Sequence, residues 1–290
     1  MTNKVGIVGG TGLYNLDGMD NVEQFELDTP FGKPSSPIIK GSISGIEHVF
    51  ISRHGYGHTI TPTEINYHAN IYALKSLGVN LCISISAVGS LKEELAPGSV
   101  VIPDQLIDRT RLRNNTFFGN GIVAHVQFAD PYCPDLRSLV YKTAKKLGDA
   151  NNIKIHFGGT YICMEGPAFS TRAESHLYRS MDASIIGMTA LPEAKLAREA
   201  EMSYITLGLV TDYDCWRSND EDVDIAKILK IIKDNTDFSK KIIKEFSSEV
   251  KSFKSAEMCA DSLKYAIITH RELWPEPTVN KLHHILKRYL

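Results

Sequence analysis

Short β-branched runs alternate with helix-period segments along most of the chain, and this rhythm constrains the fold before any motif is considered. Segments 5–8, 38–43, 48–52, 81–86, 99–102, 161–164, 184–188 and 204–210 read as strands, the second and third joined near Ser44-Gly45. Several are apolar throughout rather than at every second residue, as strands covered on both faces are. Between them, Thr61-Pro62-Thr63-Glu64 has the form of a capping box with proline at the first helical position. The helix expected there carries Ile65, Ala69 and Tyr72 on one face and closes at Gly78. A second helix from Pro134 keeps Leu136, Leu139, Val140, Ala144 and Leu147 in phase up to Gly148. Others follow Thr171, start at Pro192, and run amphipathically over 223–253, the lysines of the last forming a solvated face. The expectation is an α/β fold, a central mixed sheet flanked by helices. No repeat and no Pro/Ser/Gly linker divides the chain, so residues 1–290 are expected to form a single domain.

Composition excludes more than it identifies. Lys and Arg number 32 against 34 Asp and Glu, a formal charge of −2, so no basic excess points to a nucleic acid. The cysteines at 82, 133, 163, 215 and 259 are odd in number and scattered, without a C-x-x-C pair. Free buried thiols and a reducing, cytoplasmic setting are expected. The chain enters a strand at once, without the basic head and apolar run of a signal peptide. The uncharged stretch between Lys75 and Lys92 is shorter than the roughly 20 residues of a bilayer span.

Ligands of open α/β sheets collect at the carboxyl ends of strands, so the residues after each strand carry the functional reading. Gly9-Gly10-Thr11-Gly12 offers backbone amides and a hydroxyl to an anion, or is a tight turn without ligand. Asn15 stands where a dinucleotide fingerprint needs a small residue, and a P-loop lysine is missing. Arg53-His54-Gly55-Tyr56-Gly57-His58 combines a guanidinium fork with a second donor; an anion site, a structural turn and a His54/His58 metal site are the readings. Ser84–Ser90 and Ser184–Thr189 end strands in small and hydroxyl residues, suited to close packing or to the same anion. Thr211-Asp212-Tyr213-Asp214 ends the last strand: its carboxylates cap a helix, bind a divalent ion, or act as an acid pair in which one carboxyl holds a proton near neutrality.

Taken together, VGIVGGTGL, DTPFGKPS, ISRHGYGHTITPTEINYHAN, SAVGSLKEE, PDQLIDRT, HVQFADPYCP, EGPAFSTRAES, GMTALPEAKLAREA and TDYDCW resemble, in order and spacing, the trimeric purine nucleoside phosphorylase family. The resemblance covers residues 4–252; residues 253–290 match loosely and are expected near a subunit interface. It implies a transferase in which phosphate attacks the anomeric carbon of 5′-methylthioadenosine, releasing adenine and 5-methylthioribose 1-phosphate. The alternative is a 5′-methylthioinosine or general purine nucleoside phosphorylase. Carried over by motif, Thr11, Arg53, His54, Ser86, Ala87 (through its backbone) and Thr189 form the phosphate site, with Ser86 where the family usually has threonine. Met188 lies beneath the sugar, and Phe169, Tyr213 and the specificity position Ser170 lie near the purine. Asp212 is the acid that protonates the departing base, and Asp214 accepts from its exocyclic amine. Ile225 offers an apolar neighbour to a methylthio group, and His125 reaches the 5′ pocket of the next subunit. Inorganic phosphate is a co-substrate; no metal, cofactor, nucleic acid or membrane is implied, and a homotrimer with shared sites is.

Overall fold

A computed structural model of the protein describes residues 3–10, 18–217 and 225–290, the side chains of 225–229 excepted. The strands are β1 (Lys4–Gly9), β2 (Asp20–Phe25), β3 (Ile38–Ile43), β4 (Ile46–Ser52), β5 (Leu81–Ser90), β6 (Val100–Ile102), β7 (Gln105–Arg109), β8 (Ile155–Phe157), β9 (Thr160–Met164), β10 (Ala183–Gly187) and β11 (Ser203–Asp212), most of them grown from the alternating apolar runs. They form one mixed sheet in the order β2-β3-β4-β1-β5-β10-β9-β7, with β11 beside β5, β6 beside β11 and β8 beside β6.

Strand β5 is the branch point of that sheet. Its first half pairs with β1 in parallel, from Val5 opposite Leu81 to Val8 opposite Ser84. Its end turns to a different neighbour, pairing antiparallel with β10 through Gly89 opposite Ile186. Along its other edge β11 runs parallel from Ser203 to Asp212. The carboxyl ends of β5 and β11 therefore arrive together, with β10 passing beside them in the opposite sense.

Helices cover both faces. On one side lie α1 (Tyr67–Ser76) and α4 (Ala190–Glu199), whose Ile71, Leu74 and Leu196 pack with Val8, Cys82, Val88 and Val210. On the other lie α2 (Pro134–Asn151) and α5 (Ile225–Glu249), whose Leu136, Val140, Phe238, Ile242 and Phe246 pack with Val5, Ile7, Leu81, Ile83 and Leu207. Successive residues of β1, β5 and β11 thus enter opposite cores, which is why their sequences are apolar without alternation. Gly6 permits the closest approach: a Cβ there would lie 2.9 Å from Val79 Cγ1 and 3.1 Å from a Leu74 methyl. The capped helix α3 (Arg172–Ser180) closes the β9–β10 crossover, with Thr171 and Glu174 forming the reciprocal capping box.

Some elements depart from the sequence reading. Thr61 and Glu64 do bond (Thr61 N and Oγ1 to Glu64 Oε2, 3.1 and 2.7 Å), but they close an isolated turn. The helix begins at Tyr67, because Asn66 takes the capping position and accepts from Ala69 N at 3.1 Å. Helix α2 passes Gly148 and ends at Asn151, capped by Asn152 at φ 55°. Gly148 serves packing instead, since a Cβ there would lie 2.6 Å from the Ile153 carbonyl and from Ile155 Cγ1. The polar edge strand β2 and the short β7 and β8 carry no apolar run to mark them. The amphipathic helix expected over 223–253 occupies 225–249; Val223 and Asp224 lie outside the described residues.

Residues 253–290 pack against the same body. Leu282, Ile285 and Leu286 are buried in the core that holds α1, and Ala124 bridges to Ile267. Arg288 Nη1 and Tyr289 Oη both bond the buried Glu201 carboxylate. All five cysteines are free, Cys215 half-buried and the others buried. Among the described residues no helix is long and apolar enough to cross a membrane.

Candidate active site

The site follows from the register of β10 on β5. Continued past the last recorded pair, Ile186 with Gly89, that register sets Met188 beside Ala87 and Thr189 beside Ser86. The Ser86 and Thr189 hydroxyls do meet, at 3.0 Å. At the other end of this line Asp212 pairs with Gly89 across β11 and β5. Hydroxyls and carboxylates therefore stand three residues of one strand apart, about 10 Å, and the continued register puts the backbone of Met188 between them. That length matches a phosphate, a pentose and a base laid end to end.

At the hydroxyl end, Ser86 and Thr189 are each only 6% exposed, and their mutual bond uses one of their two hydroxyl hydrogens. Among the described residues the other has no acceptor and can donate to an anion. Ala87 is exposed, leaving its backbone approachable. Arg53 is arranged differently from the open fork expected of it. Its buried guanidinium donates through Nε and Nη2 to Glu193 (2.9 and 3.2 Å), through Nη2 to Ser84 Oγ (2.6 Å) and the Val8 carbonyl (3.1 Å), and through Nη1 to the Ile85 carbonyl (3.1 Å). Among the described residues one Nη1 hydrogen is left uncommitted. Burial opposes the Arg53 charge, but the Glu193 carboxylate outweighs that and keeps its pKa above the ordinary arginine value. Glu193 is fully buried and also accepts from Tyr204 Oη at 2.9 Å. His54 is neutral at physiological pH: burial lowers its pKa to about 4, against the relief of a bond from Nδ1 to the Ile60 carbonyl (2.9 Å). Because that carbonyl requires a hydrogen on Nδ1, the neutral ring offers Nε2 as an acceptor, not the second donor expected from sequence. Among the described residues the hydroxyl end is thus formally uncharged, its two positive candidates being neutralised by Glu193 and by burial.

At the carboxylate end, Asp212 is exposed and accepts from Thr211 Oγ1 (2.7 Å) and from Asp214 N (2.8 Å). Gly89 permits this placement, since a Cβ on it would stand 3.1 Å from Asp212 Oδ1. Asp214, held at φ 51°, is half-buried, and burial raises its pKa, with the Ser175 hydroxyl working the other way and Asp212 adding to the rise. Asp214 Oδ2 and Ser175 Oγ are both sealed from solvent, and neither completes a hydrogen bond among the described residues, so the approach of Ser175 is not a formed bond. The carboxyl with the raised proton affinity is accordingly Asp214, while the resemblance gives the acid role to Asp212. Cys215 Sγ lies 3.2 Å from the Ser170 carbonyl, which brings Ser170 to the same end. Phe169 is 84% exposed at the rim, and the Tyr213 hydroxyl reaches the Glu93 carbonyl at 3.2 Å.

His125 is not brought to this line. It is exposed, beside the Ala124–Ile267 bridge, and borders a cavity of about 480 Å³ with Phe128, Lys195 and Glu199. Glu199 is buried and accepts from Thr116 Oγ1 (2.7 Å) and Phe117 N (2.6 Å). Thr11 lies outside the described residues; Ile225 opens α5, and its side chain is outside them. Among the described residues no group of three or more His, Cys, Asp or Glu could hold a metal ion. Sequence reasoning missed Glu193, Ser175 and the pair Arg113–Glu165, although Glu193, Ser175 and Glu165 stand inside the quoted motifs. Nothing in a linear motif shows which distant group its carboxylate meets.

The chain belongs to the Phosphorylase superfamily, which matches residues 4–248. More narrowly, it is 51% identical to the S-methyl-5′-thioadenosine phosphorylase of Geobacter sulfurreducens and 50% identical to that of Thermosynechococcus vestitus, over the whole of both chains in each case. Its backbone follows the crystal structure of a methylthioadenosine phosphorylase from an antarctic soil metagenomic library, with TM-score 0.93 and 44% identity, covering 98% of this chain and 99% of the other. It also follows the Schistosoma mansoni methylthioadenosine phosphorylase in complex with adenine, with TM-score 0.84 and 33% identity, covering 93% and 100%.

Proposed function

We propose that the protein catalyses the reversible phosphorolysis of S-methyl-5′-thioadenosine to adenine and 5-methylthio-α-D-ribose 1-phosphate, a step of purine and methionine salvage. The observation that carries this reading is the series along β5 and β10: Ser86 and Thr189 hydroxyls, then Met188, then the Asp212–Asp214 pair. Full-length relatives with this activity support it.

In this reading phosphate binds through Ser86, Thr189, the Ala87 backbone, Thr11 and the remaining Arg53 hydrogen. His54 Nε2 accepts a hydrogen bond from the monoprotonated phosphate, which its neutral tautomer allows. The anion stabilises the cationic ribosyl centre that develops as the glycosidic bond breaks. Adenine is a poor leaving group as an anion, so the carboxyl pair supplies a proton to its imidazole ring as it departs. Burial raises the proton affinity of Asp214, which favours a hydrogen at this end of the site, and in this reading Asp212, on the open side, is the acid. Phe169 and Tyr213 border the purine, Ser170 sets specificity, and Met188 gives the sugar an apolar floor.

The active form in this reading is a cytoplasmic homotrimer, with His125 completing a neighbour's 5′ pocket and Ile225 facing the methylthio group. Exposed Val123, Tyr265 and Ile268 around the His125 segment support an interface there. The Tyr265–Ile268 part of residues 253–290 lies at the same edge.

The test is a substrate panel with and without phosphate. Adenine release that needs phosphate, fastest with methylthioadenosine, is expected. Faster phosphorolysis of inosine or methylthioinosine overturns the substrate, and release undiminished without phosphate makes the protein a hydrolase. Asp212→Asn is expected to slow adenine release more than release of an activated leaving group; equal losses remove Asp212 from the acid role.

A further inference from the structure

We infer that Arg113 and Glu165, which are not part of the proposed substrate line, are positioning residues that set the height of the Met188 floor. The inference rests on the reading above for the role of Met188. Arg113 has its side chain 2% exposed, and its guanidinium ties together segments distant in sequence. Nε donates to Glu165 Oε1 (2.9 Å) and Nη2 to the Glu165 carbonyl (2.6 Å). Nη1 reaches the carbonyls of Met188 and Leu191 (2.6 Å each) and the Tyr67 hydroxyl (3.1 Å).

The two carbonyls on Nη1 bracket the turn from β10 into α4. Leu191 there is extended (φ −123°, ψ 138°), so the turn lacks the hydrogen bonds of a regular helix start. Carbonyls that a helix would have used are taken up by one planar cation, which fixes their relative orientation. Glu165 holds that cation in place and is itself over-determined. It accepts from Thr63 Oγ1 (2.6 Å), from Leu112 N (3.0 Å) and from Arg111 N. Burial raises its pKa, but these donors and Arg113 together hold it down at about 2, so it stays ionised at every physiological pH.

The residue after Glu165 acts on the same methionine from the other side. Gly166 has φ +71°, and a Cβ on it would stand 2.6 Å from Met188 Sδ. The Glu165-Gly166 dipeptide therefore controls Met188 twice: its carbonyl through Arg113, its thioether through an absent side chain. Thr189 is the next residue, yet its hydroxyl is separately anchored on Ser86. A disturbance at Glu165 should consequently shift the sugar floor and leave the anion end in register.

The experiment uses the purified full-length protein with methylthioadenosine and inorganic phosphate, and compares wild type, Glu165→Gln and Gly166→Ala. Gln keeps an acceptor for Arg113 but removes the charge and replaces one acceptor oxygen by a donor facing Arg111 N and Leu112 N. Both variants are expected to lower kcat/KM for the nucleoside on the order of ten-fold or more, as sub-ångström misplacement does, with the KM for phosphate unchanged. Glu165→Asp, which keeps the charge, is expected to recover part of the loss. Variants that lose only thermal stability, or whose phosphate KM moves as far as the nucleoside constant, overturn the inference. If wild type does not phosphorolyse methylthioadenosine at all, the functional reading fails instead, a result distinguishable from the first.

Discussion

Glu199 should make the protein less stable as pH rises through neutrality, and Glu199→Gln should abolish that trend. The carboxyl sits 5% exposed behind the Thr116–Phe117 turn. Burial raises its pKa from 4.5 to about 7, more than the bonds from Thr116 and Phe117 N and the charge of Lys195 lower it. A carboxyl whose pKa is raised on folding contributes stability that is whole below pH 4.5 and is lost as pH climbs through about 7. At about 1.4 kcal/mol per pKa unit the full loss is about 3 kcal/mol, a ceiling because the folded state relaxes around the charge. Gln is neutral at all pH values and nearly isosteric; its amide donor facing one of two donors costs about 1 kcal/mol, less if the Thr116 hydroxyl rotates to accept. The two proteins should thus be close in stability at pH 5, with the variant ahead by about 1–3 kcal/mol at pH 8. Urea midpoints at fixed protein concentration, measured for both proteins at both pH values, provide the assay. Parallel pH dependence of the two midpoints, or a variant weaker at pH 8, would show that the buried carboxyl is not what the trend reports.

Other consequences can be checked with the same material. Arg53→Met leaves the buried Glu193 carboxylate without its cation and should cost about 3–5 kcal/mol of unfolding free energy; Arg53→Met combined with Glu193→Leu should recover part of it without restoring phosphate use. A single-variant loss near zero in denaturant titration would contradict the buried pair. His54 resists protonation in the fold, its pKa depressed from 6.5 to about 4, so its contribution is present above pH 6.5 and disappears as pH falls toward 4. His54→Asn should flatten the thermal midpoint over that window, and an unchanged slope refutes the placement. Gly89→Ala puts a methyl 3.1 Å from both Asp212 Oδ1 and Ile186 Cγ2. Displacement of Asp212, the acid of the proposed reading, should reduce adenine release on the order of ten-fold at saturating substrates; wild-type turnover would mean the Asp212 position is not critical.

The sheet was legible in the sequence where strands are sandwiched between two cores, because Val5, Ile7 and Val8 or Ile205, Leu207 and Val210 leave no polar face. It was illegible at β2, whose Asp20, Asn21 and Glu23 lie on an exposed edge and carry no burial signal. Clusters of small hydroxyl residues marked the strand ends that meet, since Ser86 and Thr189 need short side chains to approach. Their partners were hidden by distance: Arg53 and Glu193 are separated by 140 positions, and only the packing of α4 on β5 brings them together. The Asp pair was visible as a motif, but which carboxyl gains proton affinity depends on the burial of Asp214 and the approach of Ser175 from α3. The tautomer of His54 depended on a carbonyl six residues on, which no side-chain pattern encodes.

In the proposed reading both ends of the reaction are set against β5, at Ser86 and at Gly89, which gives the site a ruler with coarse graduations. A strand can be lengthened only by whole residues, each about 3.3 Å, and each step turns the following side chains to the opposite face. Between Ser86 and Gly89 no intermediate length exists that would keep the hydroxyls and the carboxylates on one path. Substrates of a different reach would be gained sideways, through groups that flank the path such as Ser170 or the segment bearing His125, rather than by stretching it. A fold of this kind can change which base or which 5′ substituent it holds while its separation of nucleophile from leaving group stays constant.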